Sequence, residues 1–172
     1  MDAMTNLLTR RSVRAYKTDP IPKDVLDRIL TAGTHAATGM NKQAPIIIAV
    51  TNKEMRDKLS RMNAAVMNSD RDPFYGAPVV LVVLADRAVR THVYDGSLVM
   101  GNLMNAAHAE GIASCWIHRA REVFDSPEGK EILASLGIEG DYEGVGNLIL
   151  GYAEGELPEL KPRKENYIYH ID

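Results

Sequence analysis

The sequence has one cysteine, Cys115, in 172 residues. An internal disulfide is therefore excluded, and a reducing, cytoplasmic setting is expected. No apolar run approaches the roughly 20 residues that cross a bilayer, so no membrane-spanning segment is expected. The start, Met1-Asp2-Ala3-Met4-Thr5-Asn6, lacks the basic-then-apolar order of a signal peptide. The formal net charge is only -3, which argues against nucleic-acid and membrane-surface partners. No Gly-x-Gly-x-x-Gly follows a strand and no Walker loop occurs, so phosphate is not held at a glycine-rich turn. The histidines His35, His92, His108, His118 and His170 show no metal-ligand pairing with Cys or carboxylates, and no metal is expected. No nucleophile elbow is present. Repeats, low-complexity tracts and linkers are missing too, so residues 1–172 read as a single domain.

What is present is an ordinary globular composition, 45% hydrophobic and 25% charged. Asp2 to Arg10 can make a short helix, and Ser12 to Lys17 reads as extended. Val25, Leu26, Ile29 and Leu30 repeat at helical spacing behind Pro22. Ile46 to Val50 and Pro78 to Ala85 are continuous apolar runs of strand character, separated by a helical Lys53–Asn68. Ile112–Ile117 and Val145–Tyr152 complete the strands, with a helix near Pro127–Leu136 between them. The tail from Leu157, with Pro158 and Pro162, should be extended. This order gives an α+β fold rather than a regular βαβ alternation. Thr91–Glu110 is apolar around most of its circumference, and Gly111 stops it. Such a helix needs cover on all sides, from its own chain alone or from its own sheet and a partner subunit.

Three stretches hold candidate site residues. Arg10-Arg11-Ser12-Val13-Arg14 puts cations beside a hydroxyl. On an extended backbone Arg10, Ser12 and Arg14 share one face, with Val13 and Ala15 on the other, a clamp for phosphate or carboxylate. The plainer alternative is a solvated basic stretch at a helix C-terminus. Thr38-Gly39-Met40-Asn41-Lys42-Gln43 offers amide side chains that read a heterocycle, or is simply a polar helix-to-strand loop. Ser114-Cys115-Trp116-Ile117-His118 ends a strand where a flat apolar floor and backbone amides can lie under an aromatic ring. Core packing of Trp116, with Cys115 as a small buried hydrophobe, is the alternative there.

In order along the chain, these stretches resemble the FMN-dependent nitroreductase family. Also matching are Tyr75-Gly76-Ala77-Pro78, Asn102 to Ile112, Leu150-Gly151-Tyr152 and Lys161-Pro162-Arg163-Lys164. The resemblance implies a nitroreductase-like three-layer sandwich, a mixed, mostly antiparallel sheet flanked by helices, assembled as a homodimer with FMN between the subunits. By position, Arg10, Ser12 and Arg14, with Arg11 beside them, would bind the phosphate and the pyrimidine edge of the flavin. Thr38, Met40, Asn41 and Gln43 would reach in from the partner. Trp116, Ile117 and His118 would line one face of the ring, with a backbone amide near its N5. Lys161 and Arg163 would close on the phosphate. The implied activity is reduction of a nitroaromatic, quinone or related acceptor by NADH or NADPH in ping-pong fashion. The flavin carries the chemistry, so no residue is assigned a catalytic role. A different reaction on the same scaffold, or flavin binding without turnover, stays open. Gln43 is followed by Ala44-Pro45 without the Trp common in larger members, and the segment between the first two core strands is short.

Overall fold

The run from Val79 to Ala85 is buried throughout, and a strand buried on both faces reads as continuous rather than alternating apolar sequence. In the computed structural model, which describes residues 1–171, this run forms most of β2 (Val79–Asp86). β1 (Pro45–Val50) pairs with one edge of β2, and β4 (Tyr142–Gly151) pairs with the other. β3 (Ala113–Ile117) adds to β4, so the order is β1-β2-β4-β3. All three pairings are antiparallel; among the described residues parallel geometry is confined to the single bridge between Ser12 and Ser114.

Period-two alternation sends the strand residues to two cores. On one face Val80, Val82, Leu84 and Ile149 meet side chains of α3 (Lys53–Val66), α5 (Ala120–Asp125) and α6 (Pro127–Ser135). On the other, Leu81, Val83 and Leu148 meet α2 (Lys23–Thr34) and α4 (His92–Ala109). Helices on both faces make three layers. α2 and α4 approach closely because Gly33 lacks a side chain: a Cβ there would lie 2.5 Å from Leu103 Cδ2. α1 (Ala3–Thr9), capped by the Asp2 side chain, is tied to the end of α4 by Asn6 Nδ2 donating to Asn105 O at 2.9 Å.

Three local features differ from the sequence expectation. α5 is an additional six-residue helix, too short to show a period and without a side-chain cap at its start. β4 begins three residues earlier, at Tyr142, through a bulge that skips Val145 opposite Val83 and Leu84. Gly144 and Gly146 make this early portion hard to read as strand, yet each is needed. A Cβ at Gly144 would meet Ala120 backbone at 2.3 Å, and one at Gly146 would meet the Trp116 indole nitrogen at 2.7 Å. Finally, burial in the extended segment falls on Val13 and Tyr16 and leaves Ala15 exposed, and the Tyr16 hydroxyl donates to Val13 O at 2.7 Å.

Candidate functional site

The segment from Arg10 to Lys17 lies along β3 and the chain that follows β4. Val13 N donates to Ser114 O at 3.0 Å, Lys17 N to Tyr152 O at 2.9 Å, and Glu154 N to Ala15 O at 3.0 Å. Because Ser12 bridges Ser114 in parallel, Arg10 and Arg11 fall beside the start of β3 and Arg14 beside its end. Two cavities follow from this register, one at each end.

The first, about 320 Å³, is lined by Arg10, Arg11, His108, Ser114 and Leu157, among others. Arg10 Nη1 and Ser114 Oγ are buried there and have no hydrogen-bond partner among the described residues. Buried polar groups are almost always paired, so an orphan donor beside an orphan hydroxyl marks a site for an absent acceptor. Arg11 is engaged differently: its Nη1 donates to the carbonyls of Leu8, Thr9 and Arg10, closing the C-terminal end of α1. Burial, then the Arg10 and Arg11 guanidinium groups, hold the His108 imidazole below its ordinary pKa.

The second cavity, about 370 Å³, is lined by Arg14, Tyr75, Trp116, Ile117, His118 and Arg119, among others. Trp116 packs with the α2–α4 core and Ile117 with the opposite one, since adjacent strand residues point to opposite faces. Both residues border this cavity while their side chains pack into opposite cores. His118 is exposed, and Arg119 adopts a left-handed φ of 73° before α5. The corner is held from inside by the fully buried Asn63, whose Nδ2 donates to His118 O at 2.9 Å and whose Oδ1 accepts from Arg119 Nε at 3.0 Å. The cavity wall at Tyr75 is held by Asp72, which accepts from Arg56 Nη2, Ser60 Oγ, Phe74 N and Gly76 N. Burial pushes the Asp72 carboxyl up, but these donors outweigh it and leave the group below the ordinary carboxylate value.

The remaining sequence-predicted residues lie elsewhere. Thr38 to Gln43 precede β1, at the opposite sheet edge from β3. Three inter-strand spacings separate those edges, roughly 14 Å. Met40, Asn41 and Gln43 all take positive φ near 50°, and Met40 is 87% exposed. The loop is anchored to α4 by buried Asp95, which accepts from Gly39 N and from Thr91 Oγ1, both at 3.0 Å. Thr38 and Gln43 line a third cavity with Leu30, Ile47 and Val99. Strained, exposed backbone held by a buried carboxylate is characteristic of recognition loops. Lys161 and Arg163 stand exposed on the extended tail. Leu157, where that tail starts, borders the Arg10 cavity, and four extended residues reach roughly 13 Å. Ser114, Asn63, Asn147 and Asp72 had no role in the sequence reading. Only Ser114 stood within a quoted stretch; the others sit on helix, strand and loop with no motif around them.

The nitroreductase family profile matches residues 7–74 and 63–152. The chain belongs to the nitroreductase family. It is similar over its whole length to an FMN-bound nitroreductase from Bacteroides fragilis, with 30% identity, a TM-score of 0.90 and 100% of each chain covered. An FMN-bound nitroreductase from Desulfitobacterium hafniense shares 26% identity at a TM-score of 0.86, covering 98% of this chain and 97% of that one. By sequence, a candidate NADH dehydrogenase/NAD(P)H nitroreductase of Methanothermobacter thermautotrophicus is 28% identical over 142 residues, 74% of this chain and 71% of that protein.

Proposed function

We propose that this nitroreductase-family protein binds FMN in the two cavities along β3, phosphate at the Arg10–Ser114 end and ring at the Arg14–His118 end. The carrying observation is that two buried polar atoms without partners, Arg10 Nη1 and Ser114 Oγ, line the same cavity and can both donate to a phosphate. The distance from Ser114 to His118 along the strand, four residues or roughly 13 Å, leaves room for a ribityl chain between the two ends. FMN-bound relatives of the same fold support the reading.

When bound, FMN supplies hydride acceptance and donation. The chain's residues bind and orient. Arg14, on the wall of the second cavity, would meet the ring's pyrimidine edge, where its guanidinium would offset negative charge developing on reduction. Lys161 and Arg163 reach the phosphate from the tail. Thr38, Met40, Asn41 and Gln43, too far from β3 to meet that cavity in their own subunit, line the ring from a partner in a homodimer. Exposed Tyr94 and Leu98 on α4 and Met4, Leu7 and Leu8 on α1 supply apolar surface for that pairing. The expected hydride donor is NADH or NADPH and the expected acceptor a quinone or nitroaromatic, each of which would use the same cavity in turn, in the cytoplasm. The test is reconstitution with FMN followed by anaerobic steady-state kinetics. About one FMN per chain and parallel double-reciprocal lines are expected. Protein that binds no FMN refutes the site, and intersecting lines refute the ping-pong order.

A further inference from the structure

The corner after β3 is fixed more heavily than the start of a six-residue helix requires. Asn147, on β4 and 2% exposed, has Nδ2 at 3.4 Å from Ile117 O and 3.3 Å from His118 O. Asn63, on α3 and 0% exposed, donates to the same His118 O at 2.9 Å. Two consecutive carbonyls are thus drawn toward buried amides. Every peptide bond among the described residues is trans, so the N–H following each carbonyl points the opposite way. Those are the amides of His118 and Arg119. Neither donates a hydrogen bond among the described residues, and both belong to the wall of the Arg14–Trp116 cavity. Successive N–H groups on one side of the chain form a concave donor pair, here with a left-handed residue at its second position.

We propose that Asn63 and Asn147 are positioning residues that hold these two carbonyls inward and so present His118 N–H and Arg119 N–H as paired donors to the N5 edge of a bound flavin. The inference rests on the FMN reading above. It adds that the donor geometry is set by two buried amides, one on α3 and one on β4. Neither amide touches the flavin. Each acts by fixing a peptide plane that otherwise rotates, and a preset donor avoids the ordering cost of one that must be oriented on binding.

The test compares FMN with 5-deaza-FMN, in which carbon replaces N5 and removes the acceptor lone pair. Wild type should bind FMN about two- to tenfold more tightly than 5-deaza-FMN, the equivalent of one hydrogen bond. Asn63→Asp and Asn147→Asp keep shape but set a carboxylate oxygen against the carbonyls, and each should bring that ratio toward one. Equal weakening of both flavins, with the ratio unchanged, would mean a purely structural role and overturn the proposal. A wild-type ratio of one would also overturn it. In the wild-type protein the amide proton resonances of His118 and Arg119 should move more with FMN than with 5-deaza-FMN. This needs no substitution, so variants that fail to fold leave the test standing, and unmoved resonances refute the donor pair. Wild type that binds neither flavin would bring down the FMN reading itself.

Discussion

Removing the Arg10 side chain should weaken FMN binding without weakening the fold, an unusual combination that follows from its orphan guanidinium. Arg10 Nη1 is buried and has no hydrogen-bond partner among the described residues. A buried donor left unsatisfied costs about 1–3 kcal/mol, so Arg10→Ala should leave the apo melting temperature unchanged or raise it. With FMN the sign reverses. A charge-assisted hydrogen bond contributes about 1.5–3 kcal/mol, so the variant should bind FMN roughly ten- to a hundredfold more weakly. Riboflavin lacks the phosphate and should bind both proteins alike. Ser114→Ala removes a neutral donor and should cost FMN roughly two- to tenfold, again sparing riboflavin. The assay is flavin fluorescence titration of both ligands, with thermal unfolding of the apo proteins alongside. Equal losses for FMN and riboflavin would place the phosphate elsewhere. A melting temperature several degrees lower in apo Arg10→Ala would show that Arg10 is structural.

Asp72→Asn should destabilise by about 2–4 kcal/mol, the lower part of the range for breaking a buried pair because Asp72 is itself a third open to water while Arg56 is buried. The melting temperature should fall roughly 5–15 °C, and an unchanged value would show that Arg56 repartners. The depressed Asp72 pKa also means stability that is present above the ordinary carboxylate value and lost as pH falls below it; that acid loss should shrink in the variant. His108 is depressed below its ordinary 6.5, so its neutral form stabilises the apo fold above that pH and the contribution is lost as pH falls through the lower folded value. In His108→Gln the apo melting temperature should decline less over that acid window, and an identical decline refutes the assignment. Leu98→Glu places a charge on the exposed face of α4 and should dissociate the homodimer in ultracentrifugation with helicity retained; unaltered association would move the interface off this face. On the tail, Arg163→Glu should cut FMN affinity strongly. Lys164→Glu should not, since Lys164 lies 5.4 Å from the Tyr167 ring centroid; equal losses would refute an alternating clamp.

Much of the fold was legible because its signals are local. The continuous apolar runs at Ile46–Val50 and Pro78–Ala85 became β1 and β2, and the nearly all-apolar Thr91–Glu110 became α4 with those residues as its caps. What was missed depends on residues far apart in sequence. α5 exists because Arg119 turns left-handed while Asn63, 56 residues earlier, holds its side chain. β4 starts early because two glycines admit Ala120 and Trp116, which no periodicity in the strand itself can announce. Burial of Tyr16, with its hydroxyl on Val13 O, likewise has no signal in the period-two pattern of this segment.

The candidate site divides along the same line. Arg10, Ser12 and Arg14 could be picked out because charge and period two are readable within five residues, and the parallel bridge at Ser12 then fixes which end of β3 each one serves. The residues that make those side chains useful could not. Ser114 became a candidate only when burial left its hydroxyl without a partner beside Arg10. Asn63 and Asn147 show their role only through the carbonyls they hold, and in sequence they are ordinary amides on a helix and a strand. The loop at Met40 is the converse case, a motif visible in sequence that structure sets at the far edge of the sheet from Arg14. A strained loop costs about 1–3 kcal/mol per residue held in a rare conformation, and Met40, Asn41 and Gln43 are three such residues in a row of four. The buried Asp95 anchor and hydrogen bonds inside the loop hold these conformations, while Met40 stays almost fully exposed. Exposed backbone held in rare conformations by a buried anchor is a preformed surface, and in the two-subunit site proposed above it is the part that a partner would receive.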